Sequence, residues 1–362
     1  MEGFGWFTYE VTKRLVENHP EHTFYFFFDR PYDQKFVFAE NVIPVVLKPQ
    51  ARRPILFKIW FDYSITRALK KFKIDLFFSP DGYLSMRTMI PQVGVIHDLN
   101  FEHHSEDLPD WALKYLKKNT PKFAHKAHAL VTVSAYSKQD IEETYGIDSS
   151  KITVAHNGAS EMFKPVEAAV RTTIKDEYTK GKEYFLFVGA LHARKNLKRL
   201  LKAFDEFKSR TGSETQLLIV GEKLWKNVAF ENELNALNNK DDIHFTGHLD
   251  LEVLAKITAS AKALAFVSYF EGFGIPLVEA MQCGTPILSG NRTALPEVAG
   301  EAAVYCDPFN VHEISKGLEK LDSNATLRVE LSKKGLEQAK NFSWNKSAEI
   351  IWEVISRTIE KK

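Results

Sequence analysis

The chain has 362 residues, 44% of them apolar and 26% charged, with a net charge of +1. That length favours two domains with separate cores, and the near-neutral balance excludes a global field for nucleic acid. No apolar run is long enough to span a bilayer and no signal-peptide pattern opens the chain, so the reading is a cytoplasmic protein.

Gly3-Phe4-Gly5 comes at once, before a helical pattern through Val11, Leu15 and Val16. A Gly-rich turn of this kind normally follows a strand. Either a first strand is missing, through truncation or a misplaced start, or the turn is a flexible terminus; the missing strand is favoured. Strand-like apolar runs follow at 24–28, 42–46, 76–78, 93–96, 130–133 and 152–155, with helical patterns at 55–72, 110–126 and 135–145. Short buried strands alternating with helices predict a parallel sheet covered on both faces.

From Phe163 to Lys182 the rhythm lapses, and Pro165 with a polar run marks the expected linker. The alternation then resumes. Strands are expected at 185–188, 217–220, 243–245, 264–267, 286–288 and 302–305. Helices are expected at 196–209, 227–238, 251–260, 276–282, 311–321 and 325–340. Ser343 caps a last helix over 344–360, with Trp344, Ile351, Val354 and Ile355 on its apolar side. The domains are thus 1–163 and 164–342, with 343–362 expected to pack back on the first. Ligands of such sheets bind beyond the strand C-termini, so the two domains are expected to face each other across a cleft.

The richest stretch is Tyr269-Phe270-Glu271-Gly272-Phe273-Gly274-Ile275-Pro276-Leu277-Val278-Glu279-Ala280. It reads as a strand end, a glycine turn and a helix opened by Pro276. Backbone N–H groups at such a helix start suit a phosphate, and the carboxylates accept from sugar hydroxyls. The competing reading is a buried turn with surface glutamates. After the strand 185–188 comes Gly189-Ala190-Leu191-His192-Ala193-Arg194-Lys195-Asn196, whose basic pair lies near a helix N-terminus and forms a second anion site. Gly221-Glu222 and Gly247-His248-Leu249 end two more strands, where backbone groups can pair with a nucleobase edge.

His97-Asp98 ends the strand 93–96, so His97 points to the ligand side; a histidine merely satisfied by Asp98 is the alternative. A metal held by His97, Asp98, His103 and His104 lacks ligand spacing. Ser134 reads as an N-cap, Asn157-Gly158 as a turn, and Glu297 as a helix-start carboxylate. Cys283 and Cys306 lack metal spacing and read as free thiols in a reducing compartment. Lys48, Arg52, Arg53, Lys58, Arg67, Lys70, Lys71 and Lys73 face Asp62 alone. From Trp111 to Gln139 there is no acid but six lysines, Lys114, Lys117, Lys118, Lys122 and Lys126 among them. Such basic amphipathic helices either lie on anionic lipid at the inner membrane face or present a solvated basic side.

Together these stretches resemble glycosyltransferase family 4, the retaining nucleotide-sugar transferases of GT-B fold. Glu271 and Glu279 stand as that family's E-x7-E pair, and Gly189 to Asn196 is similar to its basic phosphate loop. Val95-Ile96-His97-Asp98-Leu99, Thr132-Val133-Ser134 and His156-Asn157-Gly158 match its N-domain landmarks. Gly284-Thr285-Pro286 and Leu295-Pro296-Glu297-Val298 match its C-terminal ones. His192-Ala193 departs from the acidic-proline pair often found before the basic residues.

The resemblance implies two facing Rossmann-like domains and a hexosyl transfer that needs no metal and no cofactor beyond the donor. That donor would be GDP-mannose or a UDP- or ADP-sugar. Arg194 and Lys195 would neutralise its diphosphate. Glu271 would hold sugar hydroxyls, Glu279 the ribose, and the Gly272, Phe273, Gly274, Ile275 and Leu277 backbone the sugar and phosphates. His97 would line the sugar site, with Gly3 and Gly5 near the diphosphate or acceptor. The acceptor would be a glycan or a lipid-linked glycan in cell-surface polysaccharide synthesis. A catalytically silent subunit of the same fold, or a sugar-nucleotide epimerase, is the rival expectation.

Overall fold

The computed structural model describes residues 3–190, 192–221 and 228–360. The chain forms two compact units, one from residues 1–157 and 343–362, the other from residues 158–342.

The first unit holds six strands: β1 (Phe24–Phe28), β2 (Val42–Val46), β3 (Phe77–Ser79), β4 (Gln92–Val95), β5 (Ala129–Thr132) and β6 (Ile152–Val154). All pair in parallel, but in two sheets rather than the one expected. β1 bonds only β2, in the register Phe24↔Val42, while β3 to β6 run in sequence order. The separation arises because no ladder among the described residues joins β1 to β3. Gly3 and Gly5 do not form a turn. They lie in the first turns of the helix Gly3–Asn18, whose buried Phe7, Val11 and Leu15 repeat every four residues and carry the helix over the glycines. The helix Trp344–Glu360 belongs to this unit, where Trp344 packs edge-on at 6.2 Å against Phe7. Ser343 Oγ accepts from the Asn345 N–H near the start of that helix.

The segment 54–71 is one continuous helical rod in three parts. Pro54–Ile59 and Thr66–Lys71 are α-helical, and Trp60–Ile65 between them is a π-turn. Trp60, Phe61, Ile65 and Leu69 form its buried side, against Phe27, Phe77 and Tyr83.

The second unit is one parallel sheet of β7 (Tyr184–Val188), β8 (Gln216–Val220), β9 (Ile243–Gly247), β10 (Ala263–Phe266), β11 (Ile287–Gly290) and β12 (Ala303–Cys306). Its spatial order is β12-β11-β10-β7-β8-β9. β7, β8, β10 and β11 are buried almost throughout, which is why they read as unbroken apolar runs. The expected linker instead contains the helix Ala168–Thr179. Ile174 and Thr179 are its only fully buried residues, too thin a stripe for the periodicity to show. Cys283 and Cys306 are buried free thiols. Glu222 and residue 227, the first of an expected helix, fall outside the described residues; the helix there spans Val228–Asn235.

No helix among the described residues is long and apolar enough to cross a membrane.

Candidate active site

In the second unit β7 and β10 are neighbours, although β7 continues toward β8 and β10 toward β11 on the opposite side. The loops leaving these two strands therefore diverge and open a crevice at the strand C-termini, where open α/β sheets take ligands. Arg194 and Lys195 lie on the first loop and Glu271 on the second. The sheet order thus joins residues 76 and 77 positions apart.

The β7 loop is held at close quarters. A Cβ added to Gly221 would sit 2.1 Å from the Gly189 carbonyl oxygen, so only glycine lets the ends of β7 and β8 approach this way. Past Leu191, which lies outside the described residues, Ala193–Lys195 makes a single 3-10 turn. Asn196 follows at φ 62°, a left-handed position that asparagine tolerates. Its buried side-chain amide donates to the Val267 and Pro308 carbonyls at 2.9 and 2.5 Å, locking the loop to the end of β10.

The β10 loop completes the cluster. Arg194 Nη1 donates to Glu271 Oε2 at 2.6 Å and to the Phe270 carbonyl at 3.2 Å. Lys195 Nζ donates to Glu271 Oε1 at 2.6 Å and stands 4.9 Å over the Phe266 ring. Glu271 and Lys195 are buried. Burial alone would raise the Glu271 carboxyl, but the Arg194 and Lys195 charges outweigh it and hold it at about 2. The sequence reading kept the cations for phosphate and the glutamate for sugar. The structure makes them one ion triad with a surplus positive charge. Two further residues escaped that reading. Asn196 carried a faint signal, an asparagine just ahead of a helix. Thr293 carried none: its Oγ1 accepts from the Glu271 N–H at 3.1 Å, from a residue at φ 57°.

Gly274, at φ 100°, opens the helix Ile275–Gln282. A Cβ there would press within 3.0 Å of Leu295, so the turn is shaped for glycine in both conformation and space. Gly272 and Phe273 are buried in the same turn and Ile275 is half-buried. The Leu277 N–H donates to the Gly274 carbonyl at 3.0 Å, so here it is occupied within the turn rather than turned outward to a phosphate. Glu279 lies one turn further along, half-buried. Burial pushes its carboxyl up to about 8, with the Lys195 charge opposing. At the other side of the crevice the Gly221 N–H donates to the Gly247 carbonyl at 3.1 Å, so these two base-edge candidates bond each other. His248 is exposed and Leu249 half-buried beyond them.

In the first unit His97 follows β4. Its Nε2 lies 2.9 Å from the Pro80 carbonyl, which can only accept, so that nitrogen carries the proton. The rings of Phe4 and Phe7 approach it at 4.6 and 4.7 Å. Burial lowers its pKa, so the ring is neutral and Nδ1 presents a lone pair. Gly3 is exposed and Gly5 half-buried on the same helix as Phe4. His103 pairs with Asp140 at 2.7 Å and His104 with Glu106 at 3.4 Å, so the imagined metal cluster disperses. No group of three metal-ligating side chains occurs among the described residues. Ser134 Oγ accepts from the Ser137 N–H at 3.0 Å, a helix N-cap. Asn157 is buried with an unbonded Oδ1. Glu297 stands in the first turn of the helix Leu295–Ala299.

Residues 1–161 match the family model "Glycosyltransferase Family 4", and residues 170–338 match "Glycosyl transferases group 1". The chain is 28% identical to the O-antigen chain mannosyltransferase B of Escherichia coli, over 76% of this chain and 73% of that protein. It is 27% identical to the serotype-specific mannosyltransferase WbdA of Escherichia coli, over 74% of this chain. That match spans only about a third (34%) of WbdA. Among solved structures, the sucrose-phosphate synthase of Thermosynechococcus elongatus superposes with a TM-score of 0.80 at 16% identity, over 100% of this chain and 94% of that one. With the two family matches covering nearly all of both units, the chain belongs to glycosyltransferase family 4, the group 1 glycosyltransferases, and is a nucleotide-sugar-dependent hexosyltransferase of GT-B fold.

Proposed function

We propose that this enzyme moves mannose from GDP-mannose, with retention, onto a glycan or lipid-linked glycan of a cell-surface polysaccharide, working at an anionic membrane surface. The mannosyltransferase names of its relatives support the sugar. The observation that carries the chemistry is the Arg194–Lys195–Glu271 triad at the end of β7 and β10.

Negative charge grows on the leaving diphosphate as the glycosidic bond breaks. A cation pair already fixed in place stabilises that charge more in the transition state than in the ground state. Glu271 fixes it: each of its oxygens holds one cation, so neither has to be ordered when substrate arrives. The same bonds make Glu271 a poor nucleophile and keep it ionised, so it is no general acid. Its role is to aim the cations and accept from a sugar hydroxyl. Glu279 takes the ribose hydroxyls. His97, neutral, offers Nδ1 as a hydrogen-bond acceptor to the sugar. On this reading the leaving phosphate itself takes the acceptor's proton on the face it departs from.

The test is a transfer assay with radiolabelled GDP-mannose, UDP-glucose and ADP-glucose against a mannose-terminated lipid-linked acceptor. Label from GDP-mannose appears in an α-linked product. Incorporation from UDP-glucose alone would overturn the mannose assignment, and none from any donor would overturn the transfer reading for this acceptor class.

A further inference from the structure

The helical rod 54–71 is apolar on two sides. Its inner side fills a core, yet Ile55, Ile59 and Tyr63, spaced by four, are exposed on the outer side, Ile55 by 63%. The loop after β3 extends this surface: Arg87 donates to Tyr63 Oη at 2.7 Å and stacks over its ring, and Met86 and Met89 stand exposed beside it, Met89 by 88%. The basic helix Asp110–Lys126 packs nearby, its Tyr115 6.0 Å from Phe57 on the core-packed side of the rod, and carries the exposed Trp111 one turn earlier. Leaving six such side chains exposed to water serves nothing in the folded monomer itself.

The exposed charges on the rod and just before it are of one sign, while Asp110 beside Trp111 is an exposed acid at the margin. Arg52, Arg53, Lys58 and Arg67 are exposed around the apolar tips. The single acid of the segment, Asp62, is buried and accepts from the Met86 N–H at 2.8 Å, so it does not offset them at the surface. We propose that Ile55, Ile59, Tyr63, Met86, Met89 and Trp111 form the surface by which this enzyme docks on an anionic lipid bilayer. This assignment rests on the peripheral-membrane part of the reading above. The apolar tips enter the headgroup boundary and the arginines and lysines meet the lipid phosphates. A second copy of the chain is a poor occupant, since a two-fold contact would set this positive surface against itself. Nucleic acid would meet the cations but leave the isoleucine and methionine tips in water.

The experiment is flotation of the full chain with phosphatidylglycerol–phosphatidylcholine vesicles, with pure phosphatidylcholine as control. The wild type floats with the anionic vesicles only, and less at high salt. Both Ile55→Asp/Met89→Asp and Arg52→Glu/Arg53→Glu keep the wild-type melting temperature and lose at least about tenfold in partitioning, since each cation near such a surface counts about fivefold. A wild type that ignores anionic vesicles sinks the peripheral reading as a whole. If it floats and both variants float equally well, membrane contact stands and this surface is wrong. A dimer in solution that Ile55→Asp/Met89→Asp dissolves, with no vesicle binding, would name a second copy as the occupant.

Discussion

At the scale of single residues, the two glutamates of the Glu271–Glu279 pair sit in opposite electrostatic settings eight positions apart. Glu271 is tied to two cations and stays ionised at any ordinary pH. Glu279 is raised to about 8 by burial, so near neutrality the ligand-free protein holds it mostly protonated. In its proposed role Glu279 accepts from ribose hydroxyls, so a bound sugar nucleotide favours the ionised form. Binding therefore releases a proton, and affinity strengthens as pH rises until it passes about 8. If only the ionised form binds, the gain is roughly tenfold per pH unit below that point. Calorimetry in buffers of different ionisation enthalpy measures the proton directly, using a sugar nucleotide whose phosphates do not titrate in this range. Glu279→Gln flattens the profile. A wild type whose affinity is flat from pH 6 to 8, with no proton released, would remove the ribose role.

At the scale of elements, the site depends on how tightly β7 and β8 close. Gly221→Ala would drive a Cβ into the Gly189 carbonyl, and one strand end has to move. Overpacking of this kind costs about 1–3 kcal/mol, and the shift reaches the loop that carries Arg194 and Lys195. Urea denaturation should show that loss together with weaker donor binding; an unchanged midpoint would mean the loop has slack. The strands were legible because a parallel strand buried on both faces leaves an uninterrupted apolar run, as Leu217 to Val220 does. The helix Ala168–Thr179 was not, because a single buried isoleucine cannot make a stripe. Gly3-Phe4-Gly5 misled for the reverse reason: glycine tolerates a turn and a helix alike, and only the Phe7, Val11, Leu15 spacing decides for the helix. The basic pair and the glutamate pair could each be read from their local setting. Their union could not, because only the β10-β7 adjacency brings them together.

At the scale of the whole molecule, the chain divides its tasks between two units. The unit containing residues 158–342 holds the triad at a topological switch point. The other holds His97 and the exposed apolar patch, and is closed by the last helix of the chain. The central claim is that the ion triad is the charge machinery of the transfer. Its most direct test is the turnover of Arg194→Ala and Lys195→Ala with saturating donor, each checked for an intact fold by its melting curve. Losing one preorganised donor should cost roughly 3–4 kcal/mol, so kcat falls about 10²–10³-fold while the linkage formed is unchanged. Variants that fold and keep turnover within a factor of two or three of the wild type would contradict the account.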